Sequence, residues 1–140
     1  MRVLAIDHGS KRMGIAISDE LGIVANPLEA VPAEPFSHFL ARLKEIIADK
    51  QVELVLIGMP RNMNGSYGPA ALKVQEFAAV LRDSIVVPVQ TWDERLTSVQ
   101  ANRFLTEGNA SREQRKAKVD KIAAAILLQS FLDNRAPSGS

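Results

Sequence analysis

Residues 4–20 read LAIDHGSKRMGIAISDE. The apolar run from Arg2 to Asp7 fits a buried strand, Gly9 to Arg12 supplies turn residues, and Met13 to Ser18 returns as the second strand of a hairpin. The first strand therefore ends in a carboxylate and turns directly into a basic loop carrying Lys11 and Arg12. A lone acid before a turn is ordinary loop chemistry, so the rest of the chain has to decide whether Asp7 is more than that.

Beyond the hairpin, a third strand is expected from Ile23 to about Val31, with Pro27 marking it as an edge. From Pro35 the period becomes helical, with Phe36, Phe39, Leu40, Leu43, Ile46 and Ile47 on one face as far as Asp49. Leu54 to Gly58 is a buried strand, followed by a Gly/Asn-rich loop through Arg61, Asn62 and Asn64. Pro69 opens a helix that runs to about Asp83, and IVVPVQTW (residues 85–92) forms the next strand. Thr97 to Gln100 matches a capping box for a helix closed by Gly108. A final helix is expected from Lys118 to about Arg135, and residues 136–140 read as a disordered tail. The order β-β-β-α-β-α-β-α-α predicts an α/β domain over residues 1–135: an antiparallel meander of three strands, then parallel strands reached through helices.

Composition narrows the chemistry. With 140 residues, 46% of them apolar, there is room for one core, and no apolar run is long enough for a membrane span. The N-terminus carries no secretory pattern, so a cytoplasmic location is expected. The absence of cysteine excludes thiolate chemistry and zinc-thiolate sites, and two histidines leave oxygen donors as the natural ligands for any metal. A net charge of +1 does not identify a partner, because nucleic-acid binding depends on local clusters. The densest is SREQRKAKVDK (residues 111–121), with Arg112, Arg115, Lys116, Lys118 and Lys121 against Glu113 and Asp120.

If the strands ending at Asp7 and Trp92 run parallel, their C-terminal ends share the rim where open α/β sheets place their sites. That rim would carry Asp7 together with Asp93 or Glu94 of TWDERLTS. Asp120 is a third acid, in line at helical spacing with Ala124, Leu127, Leu128 and Phe131. One turn into the last helix, it could be serving only the helix dipole. Alternatively, the three acids form a cluster. Two carboxylates about 5 Å apart repel by roughly 3 kcal/mol at an effective dielectric of 20, which a divalent cation reverses. Neutralising Asp120 would then stabilise the metal-free protein. Hard oxygen ligands suit Mg²⁺ or Mn²⁺, and two such ions can clamp the attacking water and departing oxygen of a phosphodiester. Lys11, Arg12 and Arg95 then read as phosphate contacts, with Arg61 and Asn62 at the same rim.

DHGSKRMGIAISD, GMPRNMNGS, DERLTS and KVDKIAAAILLQSFL together resemble the four motifs of the YqgF/RuvX family, described as Holliday junction resolvases and linked to maturation of precursor ribosomal RNA. The resemblance spans nearly the whole chain. It implies an RNase H-like fold and a metal-dependent nuclease, with Asp7, Glu94 and Asp120 at the family's acidic positions and Asp93 as the fallback for Glu94. The chain departs from the commoner pattern at Met13, Met59 and Asn64. On this reading Asp7, Glu94 and Asp120 hold Mg²⁺ or Mn²⁺, and Lys11, Arg12, Arg61, Asn62, Arg95, Arg115, Lys116 and Lys118 contact nucleic acid. The first expected substrate is the precursor of small-subunit ribosomal RNA, within ribosomal precursor particles, and the second is branched DNA. The protein is expected to act as a monomer or weak dimer without a membrane partner. Two rivals are a non-catalytic nucleic-acid-binding module and an actin-like phosphotransferase. The first would gain by losing acids that repel phosphate. The second needs two duplicated domains, and this chain has room for one.

Overall fold

The computed structural model describes residues 1–60, 64–93 and 112–135, with side chains in the last helix from 118 onward. Five strands, β1 (Val3–Asp7), β2 (Arg12–Ser18), β3 (Ala25–Pro32), β4 (Leu54–Met59) and β5 (Val89–Asp93), form one sheet in the order β3-β2-β1-β4-β5. The meander β1-β2-β3 is antiparallel, and β4 and β5 are parallel to β1. The α/β sheet expected from the element order is therefore the observed one. The helices are α1 (Phe36–Asp49), α2 (Pro69–Ser84) and α3 (Arg112–Asn134).

Strand alternation sorts the apolar side chains into two layers. Leu4, Ile6, Ile15, Val55 and Ile57 pack with Phe39, Leu43 and Ile46 of α1 and with Val74, Phe77 and Leu81 of α2. On the opposite face Val3, Ala5, Ala16 and Leu56 meet Ala124, Leu127, Leu128 and Phe131 of α3. Each fully buried Leu, Ile or Phe contributes about 1.5–3 kcal/mol of transfer free energy, so both layers are needed to hold the sheet. The α3 face of the hairpin is built from small residues (Ala5, Gly14, Ala16), which lets that helix lie close.

Three boundaries differ from the sequence reading by two residues or more. β3 starts at Ala25 because Ile23 and Val24 belong to a turn held by the Asp19 carboxylate, which accepts from both of their N–H groups at 2.7 and 3.1 Å. These bonds hold the Asp19 carboxyl below its ordinary pKa. β5 starts at Val89, not Ile85, because α2 runs to Ser84 and Ile85 caps it, its N–H donating to the Leu81 carbonyl at 2.9 Å. α3 begins at Arg112, six residues before the expected Lys118. The apolar period that points to Lys118 starts only at Val119, whereas Arg, Glu, Gln, Lys and Ala of residues 112–117 are all good helix formers. The helix expected over Thr97 to Gly108 and the tail at 136–140 lie outside the described residues.

β3 is an edge strand, as Pro27 implied. Its pairing steps from Ile15↔Glu29 to Ala16↔Pro27, which leaves Leu28 as an extra, bulged residue. At its start the Gln129 amide of α3 accepts from the Ala25 N–H and donates to the Ile23 carbonyl, both at 2.9 Å.

Candidate active site

β1 alternates Val3 and Ala5 toward α3, so Asp7, two residues further on, ends the strand on that same face. Across the hairpin its partner is Gly14. A Cβ built on Gly14 would lie 1.9 Å from the Asp120 carbonyl oxygen and 2.2 Å from its carbon. The backbone of α3 therefore passes directly over Gly14, and Asp7 and Asp120 converge on one glycine from two elements 113 positions apart (120 − 7). A glycine inside a strand signals close backbone approach, and MGIAIS carries that signal, which the motif reading above passes over.

The early start of α3 removes one explanation of Asp120. With the helix beginning at Arg112, Asp120 lies in the third turn, beyond the reach of the N-terminal dipole. Its carboxylate is instead met by Arg12, whose Nε donates to Oδ2 at 3.0 Å, and both side chains are about a quarter exposed. Thus Arg12, expected to contact phosphate, is engaged with an acid of the cluster. Among the described residues no other side-chain hydrogen bond reaches Asp120 or leaves Arg12.

This pairing reverses the expected effect of neutralising Asp120. Asp120→Asn should lower the thermal midpoint of the metal-free protein by a few degrees, because it weakens a half-buried charge-assisted bond worth about 1 kcal/mol. Calorimetric scans in chelator check this, and a midpoint above wild type would restore repulsion among the acids as the dominant effect.

The other expected residues are placed less closely. In β5 Trp92 pairs with Gly58 and Asp93 with Met59, so alternation puts Asp93 on the α1/α2 side of the sheet, away from Asp7. Glu94, Arg95, Arg61 and Asn62 lie outside the described residues. Among the described residues no group of three or more His, Cys, Asp or Glu could hold a metal ion. Lys11 is exposed in the turn, and Lys118 is exposed on α3. Arg115 and Lys116 belong to α3, but their side chains are outside the described set. Asn64 is exposed and shapes its loop, its Oδ1 accepting from the Ser66 N–H at 3.0 Å and from the Ser66 hydroxyl at 2.6 Å.

Two aromatic rings near the strand ends are engaged in packing. Trp92 meets Phe131 edge-on at 5.3 Å and donates from Nε1 to the Ser130 hydroxyl at 3.3 Å, so it belongs to the core beneath α3. His8 packs against α2. Its ring lies 4.9 Å from Phe77 of α2, and burial, with Lys73 nearby, pushes its pKa below the ordinary imidazole value. His38 is exposed on α1.

Comparison with known proteins gives a consistent picture. A family profile described as RuvX: Holliday junction resolvase matches residues 1–134. A protein of Geobacillus kaustophilus (strain HTA426) is 44% identical over 137 residues, covering 96% of this chain and 99% of its own length. One from Caldanaerobacter subterraneus subsp. tengcongensis is 46% identical over 136 residues, covering 96% and 98%. Both bear the provisional name pre-16S rRNA nuclease. Among solved structures, T. thermophilus RuvC in complex with Holliday junction substrate superposes with a TM-score of 0.53 at 19% identity, over 98% of this chain and 99% of that one. The Fowlpox virus resolvase with Holliday junction DNA gives 0.55 at 13% identity, over 95% and 97%. At these identities the structural likeness speaks for the fold, which is that of the RNase H-like resolvases.

Proposed function

The chain belongs to the RuvX family, and from that membership we propose that it is a nuclease hydrolysing phosphodiester bonds, with the precursor of small-subunit ribosomal RNA as its substrate. The observation that carries the site is the convergence of Asp7 and Asp120 across Gly14. The substrate is supported by the names of relatives that match this chain from end to end.

Mg²⁺ or Mn²⁺ is part of the proposal. The donors fit a hard cation, since they are carboxylates with no cysteine in the chain, and one of them already holds a positive group, the Arg12 guanidinium. Asp7 and Asp120 would hold the metal, with Glu94 as the third acid. When bound, the cation would activate water and offset charge on the departing oxygen. The chain itself fixes the carboxylates on rigid elements and keeps cations along the strand's approach. Such a protein would work in the cytoplasm, as a monomer or weak dimer on ribosomal precursor particles. No described helix is long and apolar enough to cross a membrane.

The direct test incubates the purified chain with a precursor 16S RNA fragment and with a four-way DNA junction, each with Mn²⁺ or with chelator. Cleavage of the RNA in Mn²⁺ alone is the expected result. Cleavage of the junction alone makes branched DNA the substrate, activity in chelator removes the metal, and binding without cleavage of either leaves a binding module.

The basic turns of α3 would hold the strand beyond the cut. Replacing Arg115, Lys116 and Lys118 with alanine should flatten the dependence of log affinity on log salt by roughly two units, at about 0.7–0.9 for each phosphate no longer neutralised. An unchanged slope in salt-titrated binding assays would make the cluster a solvated helix face and move the strand to the Lys11 side.

A further inference from the structure

Arg12 occupies an unusual place for a residue expected to touch phosphate. It opens β2 beside the turn, yet its guanidinium reaches across to α3 and donates through Nε to Asp120 at 3.0 Å. The bond is made from the side of the guanidinium, through Nε and not through the two terminal amino groups that form a fork for carboxylate or phosphate. No other side-chain bond engages them among the described residues. Backbone on both sides of the pair is fixed, because α3 lies against Gly14 with no room for even a methyl group. A rearrangement at Asp120 is therefore one of side chains, and Arg12 offers a long stem next to the exposed Lys11.

Given a metal at the acids, we propose that Arg12 is a positioning residue standing in for that cation at Asp120, and that a divalent ion binding there displaces its guanidinium. In the metal-free protein the pair holds the Asp120 carboxylate against the start of β2. On metal binding, a unit positive charge next to a dication is repelled, and the rotamer-rich side chain yields where the backbone does not. The released guanidinium carries a fork with the geometry of a phosphate oxygen pair, which couples capture of the metal to grip on the nucleic-acid backbone. Arg12 thus sets the metal concentration at which the site fills.

The experiment titrates Mn²⁺ into the full chain by calorimetry, without substrate. Arg12→Gln should bind Mn²⁺ about tenfold more tightly than wild type, because the competing charge is gone, while Arg12→Lys, which keeps the charge, should stay within about threefold. A residue that merely braced the fold would leave metal affinity unchanged or weaken it. On the wild-type chain, the Arg12 Nε–H resonance should move during Mg²⁺ titration with the midpoint seen by calorimetry. An Arg12→Gln protein that binds no more tightly than wild type, or a resonance unmoved at saturating Mg²⁺, overturns the inference and leaves the metal reading intact. Absence of binding heat in all three proteins overturns the metal reading and the inference with it.

Discussion

Asp7→Asn should cut the cleavage rate by about 10³-fold if Asp7 holds the proposed cation, since losing such a ligand forfeits about 4 kcal/mol of transition-state stabilisation. The change preserves volume and leaves the backbone pairing of Asp7 with Gly14 untouched. The thermal midpoint in chelator should therefore stay within a few degrees of wild type. Single-turnover assays at saturating RNA, together with calorimetric scans, separate the two effects. Wild-type turnover in the mutant would remove Asp7 from the chemistry, and a collapsed midpoint would make it a structural acid at the strand end.

Gly14→Ala should damage both stability and activity, for a reason that lies in the backbone. The added methyl meets the Asp120 carbonyl oxygen at 1.9 Å and the Lys121 nitrogen at 2.9 Å, where ordinary contact begins at 3.4 Å. Neither atom is the end of a flexible side chain, so α3 has to withdraw by about 1.5 Å at this point (3.4 − 1.9). Overpacking of this kind costs about 1–3 kcal/mol, lowering the midpoint by roughly 5–10 °C. Moving Asp120 about an ångström from its place opposite Asp7 should cost a further hundredfold in rate. Hydrogen exchange should show the drop in protection concentrated in α3. A Gly14→Ala protein with wild-type rate would mean that the distance between Asp7 and Asp120 is not critical.

Much of this fold is legible in the sequence, and the exceptions share a cause. The hairpin around Asp7, the edge position of β3 and the span of α1 follow from patterns that repeat over a few residues, which is the range in which local physics writes itself into sequence. The start of α3 escapes such reading because its first turns have no apolar stripe, and helix propensity alone is a weak signal. The partner of Asp120 is invisible at that range. Arg12 and Asp120 stand 108 positions apart, and nothing near either residue marks the other. The sequence reading puts an acid on the line of Ala124 and Leu127, and it assigns Arg12 to phosphate. Only the register of the hairpin against α3 joins the two statements. Glu94 rests on the family resemblance.

The margin of the sheet at β3 has a consequence for how copies of this chain can meet. An outer strand is an open template on which another molecule can extend the sheet, and such extension is a common route to aggregation. Here the template is spoiled at three successive points: the Gln129 amide occupies backbone groups of Ile23 and Ala25, Pro27 has no N–H to offer, and Leu28 throws the register out of step. A continuous ladder of hydrogen bonds with a second copy cannot form across that interruption. Self-association through this margin of the sheet therefore has to proceed without an unbroken backbone ladder, through side-chain contacts alone.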